Sequence, residues 1–351
     1  RLVHGLVADE ASILKTGGGV IKWNLIKSAR GIPFKLSCTA TPAPNDAMEY
    51  ASQAAFLEKL RNEGDILWTY FQRDKYGNWS VKPHAKTAFY RFMASWSVYI
   101  RDPAKFGFKD ILKDLPDPEI IETRLPLLPE QRAEMQGVLI RHKAGMFADS
   151  NLSATARMKL AEIARGFRYD GSGKTRKVIP VPSEKPGIVC DFAGTEVAAG
   201  RQVLIWTTFD EEGEIVRRIL AERGIEARTL DGSMSDDART EMIARFRSGD
   251  FPILISKPRL IGYGLNLQFV RSMVFSGFDD SFERMYQAVR RCYRFGQTET
   301  VRVFVPYIPE LEGLMFDNVK QKEARFLEEV AIQEAHYREA FARGTIEGAA
   351  A

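Results

Sequence analysis

Arg291 and Arg294 stand three residues apart in Gln287-Ala-Val-Arg-Arg-Cys-Tyr-Arg-Phe-Gly-Gln297. Two guanidiniums presented together can neutralise charge developing on a transferring phosphoryl group, where such a group is worth about 10^3–10^5 in rate. A basic helix face paired with surface carboxylates is the commoner use of an isolated Arg-x-x-Arg. The wider pattern Q-A-x-x-R-x-x-R-x-G-Q fixes six positions in eleven, and average usage yields it by chance on the order of once in 10^7 starts. The stretch follows the apolar run and turn Met273-Val-Phe-Ser-Gly-Phe-Asp-Asp280. It therefore reads as a helix beginning beyond a strand end, with both arginines on one helical face.

A second set of chemical groups lies near the front of the chain. Leu2-Val-His-Gly-Leu-Val-Ala8 is a short apolar run ending in Asp9-Glu10. Carboxylates at the end of a buried strand sit at the carboxyl edge of a sheet, where ligands of open α/β folds bind. There Asp9 could hold Mg²⁺ through water, and Glu10 could orient or deprotonate an attacking water. Phe34-Lys-Leu-Ser-Cys38 reads as the next strand, leaving through Thr39-Ala-Thr-Pro-Ala-Pro-Asn45, whose two prolines force a stiff exit.

These pieces resemble, in order, the motifs of the Swi/Snf-type superfamily 2 helicases and translocases, and the wording Arg-Arg-Cys-Tyr-Arg-Phe-Gly-Gln looks most like the phage-encoded branch. Asp9-Glu10 resembles the Walker B motif, with Ser12 where the family usually has His. Thr41 and Asn45 fall in the third motif, with Ala40 in place of the usual Gly. Asp231-Gly-Ser, Arg245-Phe-Arg-Ser-Gly-Asp250 and Gly264-Leu-Asn-Leu267 precede the arginine motif in the family's order. Leu260-Ile261-Gly262 replaces the family's Ala-Gly-Gly.

The resemblance implies an α/β chain of tandem RecA-like P-loop NTPase domains that uses ATP and Mg²⁺ and moves on duplex or single-stranded DNA. Catalytic roles would fall to Asp9, Glu10, Arg291 and Arg294. ATP would also meet Gly264 and Gln287, and DNA would meet Thr41, Asn45, Thr207, Ser256 and Lys257. Replication or recombination proteins are the expected partners, and the cytoplasm of a bacterial or phage-infected cell the expected place. The expected division is 1–118 for the first domain, with an inserted hairpin, 119–310 for the second, and a bracing helix in 311–351. The first domain is expected to be incomplete, present from its Walker B strand onward, since the sequence opens on Arg1 in an apolar run without a Walker A loop. The chain alone is then expected not to hydrolyse ATP. A non-catalytic nucleic-acid- or protein-binding remnant is the alternative.

The elements that must position these groups are legible in part. From Gln202, strand-like runs Val203–Trp206, Ile225–Leu230 and Phe251–Ser256 alternate with amphipathic helical stretches, which argues for a parallel sheet with helices on both sides. Helices are expected over 20–30, 129–146, 154–166 and 311–342. Asp170-Gly-Ser-Gly-Lys-Thr175 ends like a P-loop, but the required upstream Gly is Arg168 and no apolar strand precedes it, so it reads as a hairpin turn. Around it, Leu115–Pro118 and Leu125–Pro129 mark the best boundary.

Residues 46–118 differ in texture. Trp68, Tyr70, Phe71, Tyr76 and Trp79 alternate with Arg73, Lys75, Lys82 and Lys86. Such a pattern can clamp nucleic acid, but a small hairpin core is the favoured reading. Phe89, Phe92, Met93, Trp96 and Tyr99 recur at helical spacing and read as core.

Totals narrow the rest. A hydrophobic share of 45% with 27% charged is that of a globular chain, and +4 net charge permits nucleic-acid binding without demanding it. Cys38, Cys190 and Cys292 are scattered, as are the four histidines, so neither a disulfide framework nor a zinc site is expected. No apolar run is long enough for a membrane helix.

Overall fold

The computed structural model describes residues 3–14, 20–39, 49–61, 63–73, 79–100, 104, 115–142, 152–171, 173–260 and 266–342. They form two compact units, one from 1–110 with 321–351, the other from 111–320.

The first unit opens with β1 (Gly5–Ala8), α1 (Val20–Ala29) and β2 (Phe34–Ser37). β1 and β2 pair in parallel, Gly5 opposite Phe34 and Ala8 opposite Ser37. Leu6 and Ala8 turn inward onto Ile26, Ala29 and Phe56, while Val7, Phe34 and Leu36 point outward. After α2 (Tyr50–Phe56) and α3 (Glu63–Tyr70) comes a hairpin of β3 (Phe71–Arg73) and β4 (Trp79–Val81), then α4 (Lys86–Ala94). The expected aromatic core is here: Phe71, Phe89 and Met93 are buried with Tyr50, Ile66 and Tyr90, and Phe92 and Trp96 pack against them. Trp68 is the exception and lies outside that core.

The second unit is built on one parallel sheet. Its elements are β5 (Glu119–Arg124), α5 (Pro129–Arg141), α6 (Ala154–Ala164), β6 (Phe167–Asp170), β7 (Lys177–Pro180), α7 (Lys185–Ala198), β8 (Val203–Trp206), α8 (Asp210–Glu222), β9 (Ala227–Leu230), α9 (Asp236–Ser248), β10 (Ile253–Ser256), β11 (Ser272–Phe275), α10 (Phe282–Arg290) and β12 (Arg302–Tyr307). α11 (Pro309–Ala342) starts in this unit and continues into the other from Gln321. Six strands are ordered β5-β12-β11-β8-β10-β9, every pair parallel.

Side chains alternate across a strand, and the two faces carry separate cores. Leu204, Trp206, Leu254, Met273 and Phe275 join one. Val203, Ile205, Ile253, Ile255 and Val274 join the other. Such uninterrupted apolar strands are what a sheet covered on both faces requires.

Local capping sets the helix starts. Ser235 Oγ accepts from Ala238 N at 3.2 Å to open α9, which closes at Gly249 with φ of 85°. Ser281 Oγ does the same for Arg284 N at 3.3 Å in α10. α8 does not use a threonine cap. Glu212 instead reaches back, its Oε2 accepting from Thr208 N at 2.8 Å and Phe209 N at 3.3 Å. The P-loop-like stretch lies in the β6–β7 connection, and the strands around it are antiparallel, as a hairpin reading requires. Gly171 and Gly173 there have φ of 77° and 56°.

Among the described residues no helix is long and apolar enough to cross a membrane, and no cluster of three His, Cys, Asp or Glu could hold a metal ion.

Candidate functional site

Motifs far apart in sequence meet at the far end of α10, around the segment that leads into β11. Leu267 N donates to Arg291 O at 3.0 Å, tying the end of the Gly-Leu-Asn-Leu stretch to the arginine motif. Arg247 Nη2, from the Arg-Phe-Arg motif on α9, donates to Asn266 O at 3.0 Å. Gln297 closes the loop: buried, it donates from Nε2 to Gln268 O at 2.7 Å, and its Oε1 accepts from Thr298 N and Glu299 N. Gln297 is therefore a latch rather than a ligand contact, a role its place in the motif did not reveal.

The arginine pair is held differently from the helical expectation. α10 ends at Arg290; Arg291 is its C-cap, and Arg294 lies in the turn that follows. Helical spacing therefore does not set their common direction. The helix stops because Cys292 is drawn into the core, the Arg291 carbonyl is taken by Leu267, and Gly296 turns the chain at φ of 93°. A Cβ at Gly296 would stand 3.1 Å from Gln268 Oε1. Arg294 is exposed, Arg291 half-buried, and Gln287 half-buried on α10. Burial pushes the Cys292 thiol well above its ordinary pKa, so it is inert packing between the two arginines.

A cavity of about 530 Å³ opens at the carboxyl edge of β8, β10 and β11, with Thr207, Thr208, Lys257, Arg259, Gly277 and Arg284 in its wall. Thr207 and Ser256 are buried, and Thr207 N donates to Ser256 O at 3.0 Å, so they shape the edge. Lys257 lies within 2.6 Å of Asp210 Oδ1. Arg284 pairs with Asp279, and burial together with the nearby Arg259 charge lowers its pKa. Arg259 and Arg284 had no sequence signal, being on different elements and outside any motif. Three cations thus line one concave edge, Lys257 and Arg284 each paired with a carboxylate there.

Beneath the cavity lies a closed charge network. Lys185 Nζ contacts both Glu312 oxygens at 2.7 and 2.8 Å. Arg165 Nε is 3.5 Å from Glu312 and 3.8 Å from Glu212, and its Nη2 donates to Phe278 O at 2.7 Å. All four side chains are at most 1% exposed. Burial lowers the Lys185 pKa against the opposing pull of Glu312. Gly277 is obligatory here, because a Cβ would come within 2.5 Å of Glu212 Oε1 and 2.7 Å of Arg165 Cζ.

In the first unit, Asp9 and Glu10 follow β1 directly, Asp9 exposed and Glu10 half-buried. Asp9 Oδ1 accepts from Glu10 N at 2.9 Å. Glu10 has φ of 48°, left-handed backbone that a non-glycine residue adopts at a cost and that clusters at working sites. Ala11 N to Cys38 O and Cys38 N to Ala8 O, both 2.8 Å, hold this turn to β2. A single exposed carboxylate at a strand end fits Mg²⁺, which is usually held by one or two carboxylates, water and substrate phosphates. Thr41, Asn45 and Gly264 lie outside the described residues.

Residues 184–296 match the family model described as the helicase conserved C-terminal domain. Helicase SWR1 of Yarrowia lipolytica is 26% identical over 144 residues, covering 40% of this chain and 8% of that protein. Helicase swr1 of Schizosaccharomyces pombe is 31% identical over 140 residues, covering 39% and 11%. The solved SWI2/SNF2 ATPase core of Sulfolobus solfataricus in complex with dsDNA aligns over 98% of this chain and 72% of its own, at 21% identity and a TM-score of 0.44. The chain spans about a tenth of the length of the curated relatives it matches. The two curated relatives named are eukaryotic and lend no support to a phage-encoded branch.

Proposed function

The chain belongs to the Snf2-type superfamily 2 helicases, and from that premise we propose that it is the motor part of a nucleic-acid-dependent ATPase that moves along DNA. The observation that carries this is the stitching of Arg247, Asn266–Gln268 and the arginine motif Gln287–Gln297 into one assembly, in the same unit as the cationic cavity.

Each part has a role in this reading. Bound ATP with Mg²⁺ supplies the phosphoryl group whose transfer drives movement. Asp9 holds the cation through water, and Glu10 orients the attacking water and accepts its proton. Arg291 and Arg294 stabilise the charge on the transferring group. Lys257, Arg259 and Arg284 take a backbone phosphate of DNA, and the buried Thr207 and Ser256 keep that edge in shape. No Gly-x-x-x-x-Gly-Lys-Ser/Thr pattern occurs in the 351 residues. The chain is accordingly proposed to need a phosphate loop from a further segment before it can turn over ATP.

The test is ATP hydrolysis with and without duplex DNA, for the chain alone and joined to a segment bearing such a loop. The expected result is no turnover alone and DNA-stimulated turnover when joined, reduced about 10^3-fold or more by Arg294→Ala. Turnover by the chain alone that Lys174→Ala abolishes would move the phosphate site to the β6–β7 hairpin and overturn the assignment. Absence of DNA stimulation in the joined protein would favour a binding module without motor chemistry.

A further inference from the structure

Trp68 is 76% exposed at the end of α3, although Tyr70, Phe71, Trp79, Phe89, Tyr90, Phe92 and Trp96 around it are buried or packed on the core of the first unit. The indole is not loose. It meets Trp79 edge-to-face, with ring centroids 6.1 Å apart and planes at 87°, a geometry that fixes both rings. Lys82 Nζ, from the turn after β4, donates to Trp68 O at 2.8 Å and Thr69 O at 3.3 Å, so a cation is anchored beside the exposed ring.

Over residues 63–100, Arg73, Lys75, Lys82, Lys86 and Arg91 outnumber Glu63, Asp65 and Asp74, a net +2 in sequence. Lys86 is engaged by Glu328 of α11 at 3.3 Å, an exposed pair that salt or a competing anion can open. A large exposed aromatic with an anchored cation beside it is suited to a polyanion that also offers flat apolar faces. Single-stranded nucleic acid is that ligand: a base stacks on the aromatic ring while a phosphate meets the lysine. Duplex DNA keeps its base faces stacked and would leave the indole uncovered.

We infer that Trp68, backed by Trp79 and flanked by Lys82, is a single-strand binding platform on the β3–β4 hairpin module, separate from the cationic cavity of the second unit. The inference rests on the proposed function only for its choice of nucleic acid as the polyanion.

The experiment compares binding of the full chain to a short oligothymidylate and to an abasic oligomer of equal length and charge. Wild type should prefer the oligothymidylate by about tenfold, the worth of one stacked base. Trp68→Ala should erase that preference while leaving abasic binding unchanged, and Trp68→Phe should retain most of it. Trp68 is so exposed that an unchanged melting temperature is expected for both variants. Arg259→Ala should lower both affinities by one common factor. A preference for oligothymidylate that survives Trp68→Ala, or the lack of any preference in wild type, overturns the platform. Duplex binding and DNA-stimulated hydrolysis are read separately, so the failure of the motor assignment would leave this ratio as an independent result. Loss of a protein ligand, with no change in the ratio, would reassign the indole to a protein interface and equally overturn it.

Discussion

The described residues form two parallel sheets made from similar apolar runs and buried to different degrees. In the second unit every residue of β8, β10 and β11 is buried, and each face has its own core. In the first, β1 and β2 alternate: Val7, Phe34 and Leu36 are 64%, 74% and 54% exposed, while Leu6 and Ala8 pack inward. Parallel sheets are ordinarily covered on both faces. The first unit is thus held from one side and the second from two. Position along a strand alone does not say what an apolar residue contributes, and mutations can measure the difference.

The largest effect is expected under the carboxyl edge of the larger sheet. Glu312→Ala would leave Arg165 and Lys185 facing Glu212 alone in a site closed to water. Removing one partner of a buried pair costs about 3–5 kcal/mol, and urea unfolding should show it. Exchanging Arg165, Lys185, Glu212 and Glu312 together for apolar residues of like volume should cost far less, since the charges offset one another. If Glu312→Ala were neutral, the network would be wetter than its burial indicates, and the contrast between the units would weaken.

A direct comparison of the two sheets comes next. Leu204→Ala removes a side chain that is 0% exposed, at a cost of about 2–5 kcal/mol. Leu36→Ala, also inside a four-residue strand but on the open face, should fall within about 0.5 kcal/mol. Equal costs would mean that the β1–β2 face is covered in solution, and the comparison would fail.

How much of this the sequence disclosed depends on how far each feature rests on local pattern. β8, β10 and β11 announce themselves as apolar runs, and the hairpin reading of Asp170–Thr175 followed from the missing upstream glycine. β12 went unread because Pro306 argues against a strand near the middle of a sheet, yet Pro306 is paired opposite Thr123 of β5. α7 went unread because Pro186 and Gly187 look like breakers, whereas Pro in the first turn is well tolerated. The arginine motif was identifiable as letters, but its geometry was not. Arg294 leaves the helix because Leu267 and Gln297 bind the backbone around it, and those contacts come from elsewhere in the chain. The cavity cations Arg259 and Arg284 meet only through the fold.

The smallest expected effect separates a buried carboxylate from an exposed one and depends on pH. Glu196 ties α7 to the amino ends of β11 and β12: Arg201 Nε donates to its Oε2 at 2.6 Å, and Ser272 Oγ and Arg302 also bond it. Burial pushes its pKa up, but those donors and the arginine charges more than reverse this, so the folded value lies below the ordinary one. A depressed carboxyl stabilises the fold above its unfolded pKa, near 4.3 for glutamate, and loses that contribution as pH falls through the folded value. Glu196→Gln should therefore be less stable than wild type at neutral pH, with the gap narrowing as the solution is acidified below about pH 4. Glu58 in the first unit is also lowered, by Lys35 and the Gly31 amide, but its side chain is 44% exposed above a covered Lys35. Solvent screening of that carboxylate leaves the pair worth about 0–1 kcal/mol, so Glu58→Gln should give a shallow pH profile that flattens further in salt. A Glu58→Gln profile as steep as that of Glu196→Gln would show that the open sheet is protected from water, and that the two units differ less than their burial implies.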